Sequence, residues 1–389
     1  MITVSSIMFA VVFALFVESI ERGAHDLMVD NMTRFHTGYM QVQDYRYKNE
    51  PSLDNAFYYD NDISDWIGEN GHRIAFAIPR IETYMLAAGE EQTRGAIVMG
   101  TDLAGENRLN DLSDRLVEGR FFDSGDATVV LGDGLAHRLE LAVGDTLVLL
   151  GQGRFGMTAS GKFEVAGLIR HPLRDMNNQI VYISLPDAQW MLSAEDHITA
   201  LLVTPDHVRH TETVAEMLRS GFDNVELRVL TWPEMMPELL EALAFDRAST
   251  RVMMVILYVV IGFGIFGTIL TMTLERIREF GILLSVGMQR LKLALVVFIE
   301  TFLISVIGVL TGFVLGFFVI LYFHYNPIHL GGDMEAVVQE WGIEPIMPAA
   351  LAPDIFMWQG MIIFFLATVI CLYPGIKIFT LNILNSARN

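Results

Sequence analysis

The stretch "VMMVILYVVIGFGIFGTILTMTLERIREFGILLSVGMQRLK", residues 252–292, decides the fold of this chain. Its first 23 residues carry no charge, and about 20 apolar residues suffice for a helix to cross the hydrocarbon core of a bilayer. The 18 residues that follow hold four basic and two acidic side chains. The stretch therefore predicts a membrane-spanning helix that leads into a short charged segment on one face of the bilayer.

Three other apolar runs accompany this one in a chain of 389 residues with a mean hydropathy of +0.40. We predict four transmembrane helices, at 1–20, 251–274, 293–323 and 355–377. The first has only 16 uncharged residues, which span about 24 Å. We expect its helix to continue past Glu18, or the natural N-terminus to lie further upstream. A signal peptide is the alternative, although this run lacks the basic region that precedes a signal sequence.

The charges of the connecting segments indicate the orientation in the membrane. Basic residues concentrate on the cytoplasmic side of membrane proteins. The segment 275–292 is rich in Arg and Lys, whereas 324–354 holds five acidic residues and no basic one. The first is therefore predicted to be cytoplasmic, together with the tail 378–389. The loop 324–354 and the large segment 21–250 are predicted to lie outside, in the periplasm of a bacterium.

The large segment 21–250 contains 37 acidic and 19 basic residues, a net charge of −18. This charge disfavours nucleic acid as a partner, since phosphate binding needs a basic face. The single cysteine, Cys371, falls in the fourth apolar run. The external domain is thus expected to fold on its hydrophobic core alone, for which its size is sufficient.

The alternation of apolar and polar residues indicates a mixed external domain. Strands are predicted at 38–47 and 73–89, with a short helix between them that ends at Gly71. The remaining predicted elements are a β block at about 119–190, a helix at 206–220 and two stalk helices, 18–34 and 233–250. The fold class is a membrane α-helical protein of four transmembrane helices, with a large α+β periplasmic domain inserted between helices 1 and 2.

The segment 153–165 contains Gly156-x-x-x-x-Gly161-Lys162, which matches most of a phosphate-binding P-loop. Phe163 stands where a P-loop has Ser or Thr to hold Mg²⁺, and both flanks alternate like strands. We therefore predict a β-hairpin here; if ATP and Mg²⁺ are involved, a different chain binds them. No catalytic or metal site is predicted, because His207 and His210 lack a third ligand and are typical of solvated helix histidines.

The segment 274–316 resembles the core of the FtsX-like permease family, which includes the lipoprotein-releasing permeases LolC and LolE and the exporter MacB. The C-terminal "YPGIKIFTLNIL" and the β block, with "VEGRFF" and "VGDTLVLL", are similar to the same family, except that Asn382 replaces a proline. Family members begin with a basic cytoplasmic helix, whereas this sequence starts at the first span. The matching residues of the core are Glu275, Arg276, Arg278, Glu279, Gly281, Ile282, Leu283, Gly287, Glu300, Gly308, Gly312 and Gly316.

The resemblance implies that 275–292 is a coupling helix that sits in a groove of a separate ATPase. Plain anchoring of its charges at the membrane surface is the alternative. Glu300 is either functional or hydrogen-bonded to a neighbouring helix or to the coupling segment. Three glycines four residues apart, beginning at Gly308, predict a helix-packing face. The coupling residues are expected to be Glu275, Arg276, Arg278, Glu279, Gly281, Gly287, Met288 and Arg290.

Two further sets of residues are candidates for binding. Apolar side chains of the first two spans are expected either to line a pliable cavity for substrate or to pack ordinarily; these are Phe13, Phe16, Met253, Met254 and Phe263. The loop 151–161, with Arg154, Phe155 and Met157, corresponds to a hook by which LolC-like permeases hold a periplasmic lipoprotein carrier. Here the loop is short and lacks proline, so the sequence favours a plain turn.

The resemblance implies the permease subunit of an ABC transporter in the bacterial inner membrane. It implies a dimer of identical or different permease protomers above two ATPase copies, with lipid-linked substrates, lipoproteins first, taken from the outer leaflet. One alternative is a MacB-like exporter of peptides or drugs with a periplasmic adaptor. The other is an FtsX-like regulator of cell-wall hydrolases that transports nothing.

Overall fold

The computed structural model describes residues 2–70, 72–121, 125–222, 226–332 and 346–380. Gly71, at which a helix is predicted to end, residues 333–345 of the acidic loop 324–354, and the tail beyond residue 380 lie outside these ranges. The chain divides into a helical unit and an α/β unit. Met1–Leu27, Glu241–Leu330 and Ile346–Asn389 form the first, and Met28–Leu240 with Gly331–Pro345 form the second.

Helices and strands are numbered in chain order. The helices are α1 (Ile2–Met32), α2 (Asn61–Asn70), α3 (Leu103–Asn110), α4 (Asp133–Leu139), α5 (Arg174–Asn177), α6 (Leu185–Met191), α7 (Thr211–Gly221), α8 (Trp232–Met235), α9 (Pro237–Glu275), α10 (Ile277–Ser285), α11 (Arg290–Tyr325), α12 (Pro353–Ile370) and α13 (Leu372–Thr380). The strands are β1 (Met40–Asp44), β2 (Phe57–Tyr58), β3 (Ile74–Ala88), β4 (Thr93–Thr101), β5 (Leu116–Gly119), β6 (Thr128–Gly132), β7 (Thr146–Gln152), β8 (Thr158–Ile169), β9 (Ile180–Ser184), β10 (His197–Ile198), β11 (Ala200–Pro205), β12 (Leu227–Thr231), β13 (Ile328–His329) and β14 (Ile346–Met347).

Among the described residues, four helices are long and apolar enough to cross a membrane: Ile2–Thr37, Pro237–Glu275, Arg290–Tyr325 and Pro353–Thr380. The first continues well past Glu18, as its short apolar run leads one to expect. The stalk before the second span begins at Pro237 rather than at 233, so that part of the prediction is wrong. Met236 leaves the helical region (φ −121°, ψ 61°), because a residue that precedes proline clashes with its ring in the α conformation.

Three glycines on α11 bring that helix into close contact with α1. A Cβ atom added at any of them would come within 2.7–2.9 Å of a side-chain atom of α1, nearer than real Cβ atoms approach. The predicted small-residue packing face is confirmed, and its partner is the first apolar helix. The pairs are Gly308 with Ile7, Gly312 with Val11 and Gly316 with Leu15.

We expect Gly312→Val to destabilise the helical unit, because the new side chain meets the Val11 side chain and the Met8 carbonyl. Overpacking of this kind costs about 1–3 kcal/mol. The midpoint of unfolding of the chain in lipid nanodiscs measures the effect. Gly264→Val on α9 is the control, since its Cβ would have no heavy atom within 4 Å. Equal midpoints for the two variants would contradict the packing described.

The α/β unit is built on one ten-stranded sheet in the order β12-β1-β11-β3-β4-β9-β6-β8-β5, with β7 paired to both β3 and β8. The predicted β block is therefore not a sheet of its own. Its strand β9 pairs in parallel with β4, and its strand β7 pairs with the last residues of β3. The 15-residue β3 and the 12-residue β8 are long enough to pair the strands of the β block with the rest of the sheet.

A buried ion pair lies under this sheet. Arg80 of β3 and Glu106 of α3 are both almost fully inaccessible to solvent. The Nε and Nη2 atoms of Arg80 each donate a hydrogen bond to one carboxylate oxygen of Glu106. Glu106 also accepts from the Thr101 hydroxyl at 3.0 Å and the Asn110 amide at 2.9 Å. Arg80 donates once more, to the His36 carbonyl at 3.0 Å. Removal of one charge of this pair would leave the other buried without its counter-ion.

We expect Glu106→Gln to lower the local unfolding free energy of β3 and β4 by about 3–5 kcal/mol, the cost of one unpaired buried charge. Amide hydrogen exchange of these strands in the full chain measures it. Glu212→Gln, which removes one of the two carboxylate partners of Arg219 on the exposed face of α7, should cost less than about 1 kcal/mol. Unchanged protection of β3 in Glu106→Gln would refute this account.

Candidate functional site

The charged segment 275–292, called the elbow here, is a short helix followed by a turn. Helix α9 ends at Glu275, α10 occupies Ile277–Ser285, and α11 begins at Arg290. Gly287 has φ +102°, a conformation that favours glycine and ends the helix. The prediction of one coupling helix over the whole segment is therefore wrong. The last part of the predicted coupling helix, Arg290 to Lys292, belongs instead to the first turn of α11.

Arg276 connects the three helices of the elbow. Its Nη1 donates to both carboxylate oxygens of Glu300 on α11, each at 2.7 Å. Its Nε donates to Glu279 on α10 at 3.2 Å, and its guanidinium lies 5.8 Å from the ring centre of Phe280. The hydrogen bonds to Glu300 raise the pKa of Arg276 above its usual value. From the sequence, Glu300 is expected either to be functional or to form a hydrogen bond with a neighbouring helix or with the coupling segment. In the structure it accepts hydrogen bonds from Arg276 of the coupling segment.

The inner side of α10 is packed against two other helices. Phe280 and Leu284 are buried in one apolar cluster with Leu293, Ala294 and Val297 of α11 and with Ile378 of α13. Gly281, between them, is buried as well. Arg290 adds a hydrogen bond from its Nη1 to the Phe379 carbonyl of α13. The elbow is thus fixed from within by apolar packing and by hydrogen bonds at both of its ends.

The outer side of the elbow exposes a mixed surface. We call the exposed apolar residues Ile282, Leu283, Val286, Met288 and Leu291 the elbow patch. Val286 is the most accessible of them, at 83%. The charged Glu275, Arg278 and Glu279 are exposed beside it. An apolar patch with a charged rim, set on a rigid support, has the composition of a protein-docking surface.

The structure does not bring the five predicted cavity residues together. Phe13 stacks on Phe9, Phe16 packs edge-on against Phe323 of α11, and Met253 is exposed. Met254 is buried at a polar cavity, whereas Phe263 lines an apolar groove between α9 and α12. The reason is angular: successive residues of a helix point about 100° apart, so neighbours such as Met253 and Met254 face different partners.

The predicted hairpin is confirmed, since β7 and β8 pair in antiparallel register from Thr146–Glu164 to Gln152–Thr158. Gly161 and Lys162 lie within β8, opposite Leu149 and Val148. A P-loop needs a helix that begins at this lysine, so that its N-terminal amides face the phosphates. The segment is a strand, and the match to a P-loop is therefore an accident of sequence.

The tip of this hairpin presents two large apolar side chains. Phe155 and Met157 are 73% and 57% exposed, and the Arg154 guanidinium lies 4.7 Å from the Phe155 ring centre. Phe155 has φ +54°, a strained conformation for a residue other than glycine. Its amide donates to the Asp54 carboxylate at 2.6 Å, which holds the tip in place. The loop is thus a defined turn with an exposed apolar end.

The predicted solvated histidine pair lies just before α7. The rings of His207 and His210 are 5.6 Å apart, and Asp206 bonds His210 Nδ1 at 2.6 Å. Within the described ranges, the one group with metal-ligand geometry is elsewhere: Glu21, His25 and Asp246. Sequence reasoning missed it because Asp246 is 221 positions from His25. The spacing of Glu21 and His25, one helical turn, was the only local signal.

We expect Arg276→Leu to loosen α10, because the guanidinium is its polar connection to Glu300. For a partly hydrated pair the loss is about 1 kcal/mol, roughly a fivefold fall in amide protection across α10. Hydrogen exchange of the chain in nanodiscs measures this. The control is Arg278→Leu, an exposed arginine two residues away, which should leave protection unchanged. A similar effect of both variants would mean that Arg276 does not hold the elbow.

Comparison with known proteins gives two family matches. The model described as FtsX-like permease C-terminal matches residues 251–383, and that described as MacB-like periplasmic core domain matches residues 1–220. Together they cover both units of the chain.

Individual relatives are more distant. The lipoprotein-releasing system transmembrane protein LolC of Neisseria meningitidis is 21% identical over 273 residues, which cover 67% of this chain and 65% of that protein. LolC of Xylella fastidiosa is 25% identical over 251 residues, with 63% and 60% covered. The chain thus spans less than two thirds of these relatives. The periplasmic region of MacB from Actinobacillus actinomycetemcomitans is similar with a TM-score of 0.38 and 12% identity, over 54% of this chain and 96% of that one.

Proposed function

Because this chain belongs to the FtsX-like permease family and carries its MacB-like periplasmic core, we propose that it is the permease subunit of an ABC transporter in a bacterial inner membrane. The four apolar helices and the large α/β unit between the first two support this role. The transporter would contain two permease protomers, identical or different, surrounded by membrane lipid.

The observation that carries the proposal is the elbow patch on a support fixed by Arg276. Its five apolar residues and charged rim fit the groove of a cytoplasmic ATPase, one copy for each permease. ATP and Mg²⁺ would be bound there. The hairpin Thr146–Ile169 supports the binding of ATP by a separate chain, because the glycine-lysine motif of this chain is part of a strand.

Movement of the ATPases would reach the far side of the membrane through α9. This helix is unbroken for 39 residues, about 58 Å, from Glu275 at the elbow to Pro237. A continuous helix transmits a push along its axis, whereas a kinked one absorbs part of it. The periplasmic domain would then act on a substrate at the outer leaflet, with no need for a pore.

Lipid-linked substrates, lipoproteins first, are the favoured class. The LolC relatives, which are named for lipoprotein release, support this choice. The exposed Phe155 and Met157 at the hairpin tip are suited to contact a soluble periplasmic carrier. A second candidate is a MacB-like exporter of peptides or drugs, which the match of residues 1–220 to the MacB-like periplasmic core favours.

The ATPase partner is tested by affinity purification of the full chain from the membranes of its host, with any ABC ATPase that is recovered identified by mass spectrometry. We expect Val286→Asp to reduce the recovered ATPase about 10-fold or more, because a charge is placed at the centre of the apolar contact. The control is Val208→Asp, which places the same charge at another exposed valine, located in the α/β unit. Full recovery of the ATPase with Val286→Asp would refute the docking surface.

The substrate class is decided by depletion of the chain in cells. We expect outer-membrane lipoproteins to accumulate in the inner membrane, which fractionation detects. Normal lipoprotein sorting, together with crosslinking of the α/β unit to a periplasmic adaptor, would favour the exporter instead. Normal sorting with altered cell-wall hydrolysis would point to a regulator of hydrolases.

A further inference from the structure

Three ligand-type side chains meet where α1 and α9 pass each other within the helical unit. Glu21 and His25 lie one turn apart on α1, and Asp246 lies on α9. One oxygen or nitrogen of each falls within 4.8 Å of the other two. His25 Nε2 and Asp246 Oδ2 are 2.5 Å apart. The cluster therefore already gathers an imidazole and two carboxylates at one point.

We propose that Glu21, His25 and Asp246 bind a divalent transition-metal ion, with Zn²⁺ as the best fit. Imidazole nitrogen and carboxylate oxygen are the ligands that Zn²⁺ takes at about 2.0–2.2 Å. Imidazole also separates this set from the all-oxygen sites that suit Mg²⁺ and Ca²⁺. The proposal does not depend on the transport function, since it rests on these three side chains alone.

The spacing can accommodate the ion with movements of at most about 1.5 Å, because the three ligand atoms lie within 4.8 Å of one another. Two ligands on a tetrahedral Zn²⁺ lie about 3.3 Å apart, so His25 and Asp246 must separate by less than about 1 Å. The side chain of Asp246 is 60% exposed and can move, whereas that of His25 is 11% exposed and fixed by its surroundings. A buried histidine with a mobile carboxylate beside it is an arrangement in which the ion can enter from the aspartate side.

A simple ion pair between His25 and Asp246 explains less of the arrangement. It leaves the Glu21 carboxylate next to that of Asp246, two like charges within 4.8 Å. A divalent cation between them removes this repulsion and employs all three groups. Three protein ligands also leave a fourth position for water, and a cavity of about 510 Å³ opens beside the cluster.

Such an ion would link α1 to α9 through side chains that are far apart in the sequence. Both helices are members of the helical unit, and α9 is the helix that leads to the elbow. The bound metal would therefore limit how far the two helices separate at this level. A chelator would remove that restraint. The separation of α1 and α9 would then depend on the concentration of free metal ion.

The experiment uses the full chain in nanodiscs, stripped of metal with a chelator, with His207→Ala and His210→Ala to remove background binding. Titration with Zn²⁺ by calorimetry should give one ion per chain. Titration with Co²⁺ should give the intense visible absorption of tetrahedral coordination. Asp246→Asn and His25→Ala should each weaken Zn²⁺ binding at least about 10-fold, since even outer-shell changes cost that much. Asp26→Asn, which lines the same cavity, should have no effect.

Asp246→Asn is the deciding variant because an exposed side chain can be changed without loss of folding. Zn²⁺ should raise the midpoint of thermal unfolding of the parent chain and leave that of Asp246→Asn unmoved. Absence of Zn²⁺ binding by the parent, or unchanged binding in Asp246→Asn, would overturn the proposal. Co-purification of the ATPase is a separate measurement, so failure here and failure of the transport function are distinguishable.

Discussion

The ion pair of Arg276 and Glu300, in which one guanidinium nitrogen donates to both carboxylate oxygens, is the interaction on which the elbow depends. A short amphipathic helix between two long apolar helices has no stability of its own, since nine residues are too few. Arg276 provides its polar attachment, and the buried Phe280 and Leu284 provide its apolar one. The ion pair alone contributes little to stability, because its charges are partly hydrated. Together the two attachments hold α10 against α11, with the elbow patch on its exposed side.

The glycine face of α11 extends this rigidity. Because α11 contacts α1 closely at Gly308, Gly312 and Gly316, the helix that carries Glu300 is itself held in place. Helix α10 is therefore attached to α11 and, through α11, to α1. In a bilayer, where lipid is as apolar as the helices, such close van der Waals contact is the main source of helix association. The elbow and α1 are thus both packed against α11 within the helical unit.

Sequence reasoning succeeded where the signal is local. Uncharged runs identify the four apolar helices, alternation identifies the hairpin over 146–169, and a four-residue glycine period identifies a packing face. It failed where distant segments meet. The pairing of β4 with β9 joins residues some 80 positions apart, and the partner of His25 is Asp246. The break at Gly287 was also missed, because φ +102° is a choice that glycine permits but does not require.

The central claim is that the elbow moves as one body with α11. Electron spin resonance tests it with labels at Ser285→Cys on α10 and Leu303→Cys on α11, in a chain with the buried Cys371→Ala. The account predicts a single narrow distance between the labels, unchanged when the ATPase and nucleotide are added to the nanodiscs. A second distance that appears with nucleotide would show that α10 moves independently, and the claim would then be wrong.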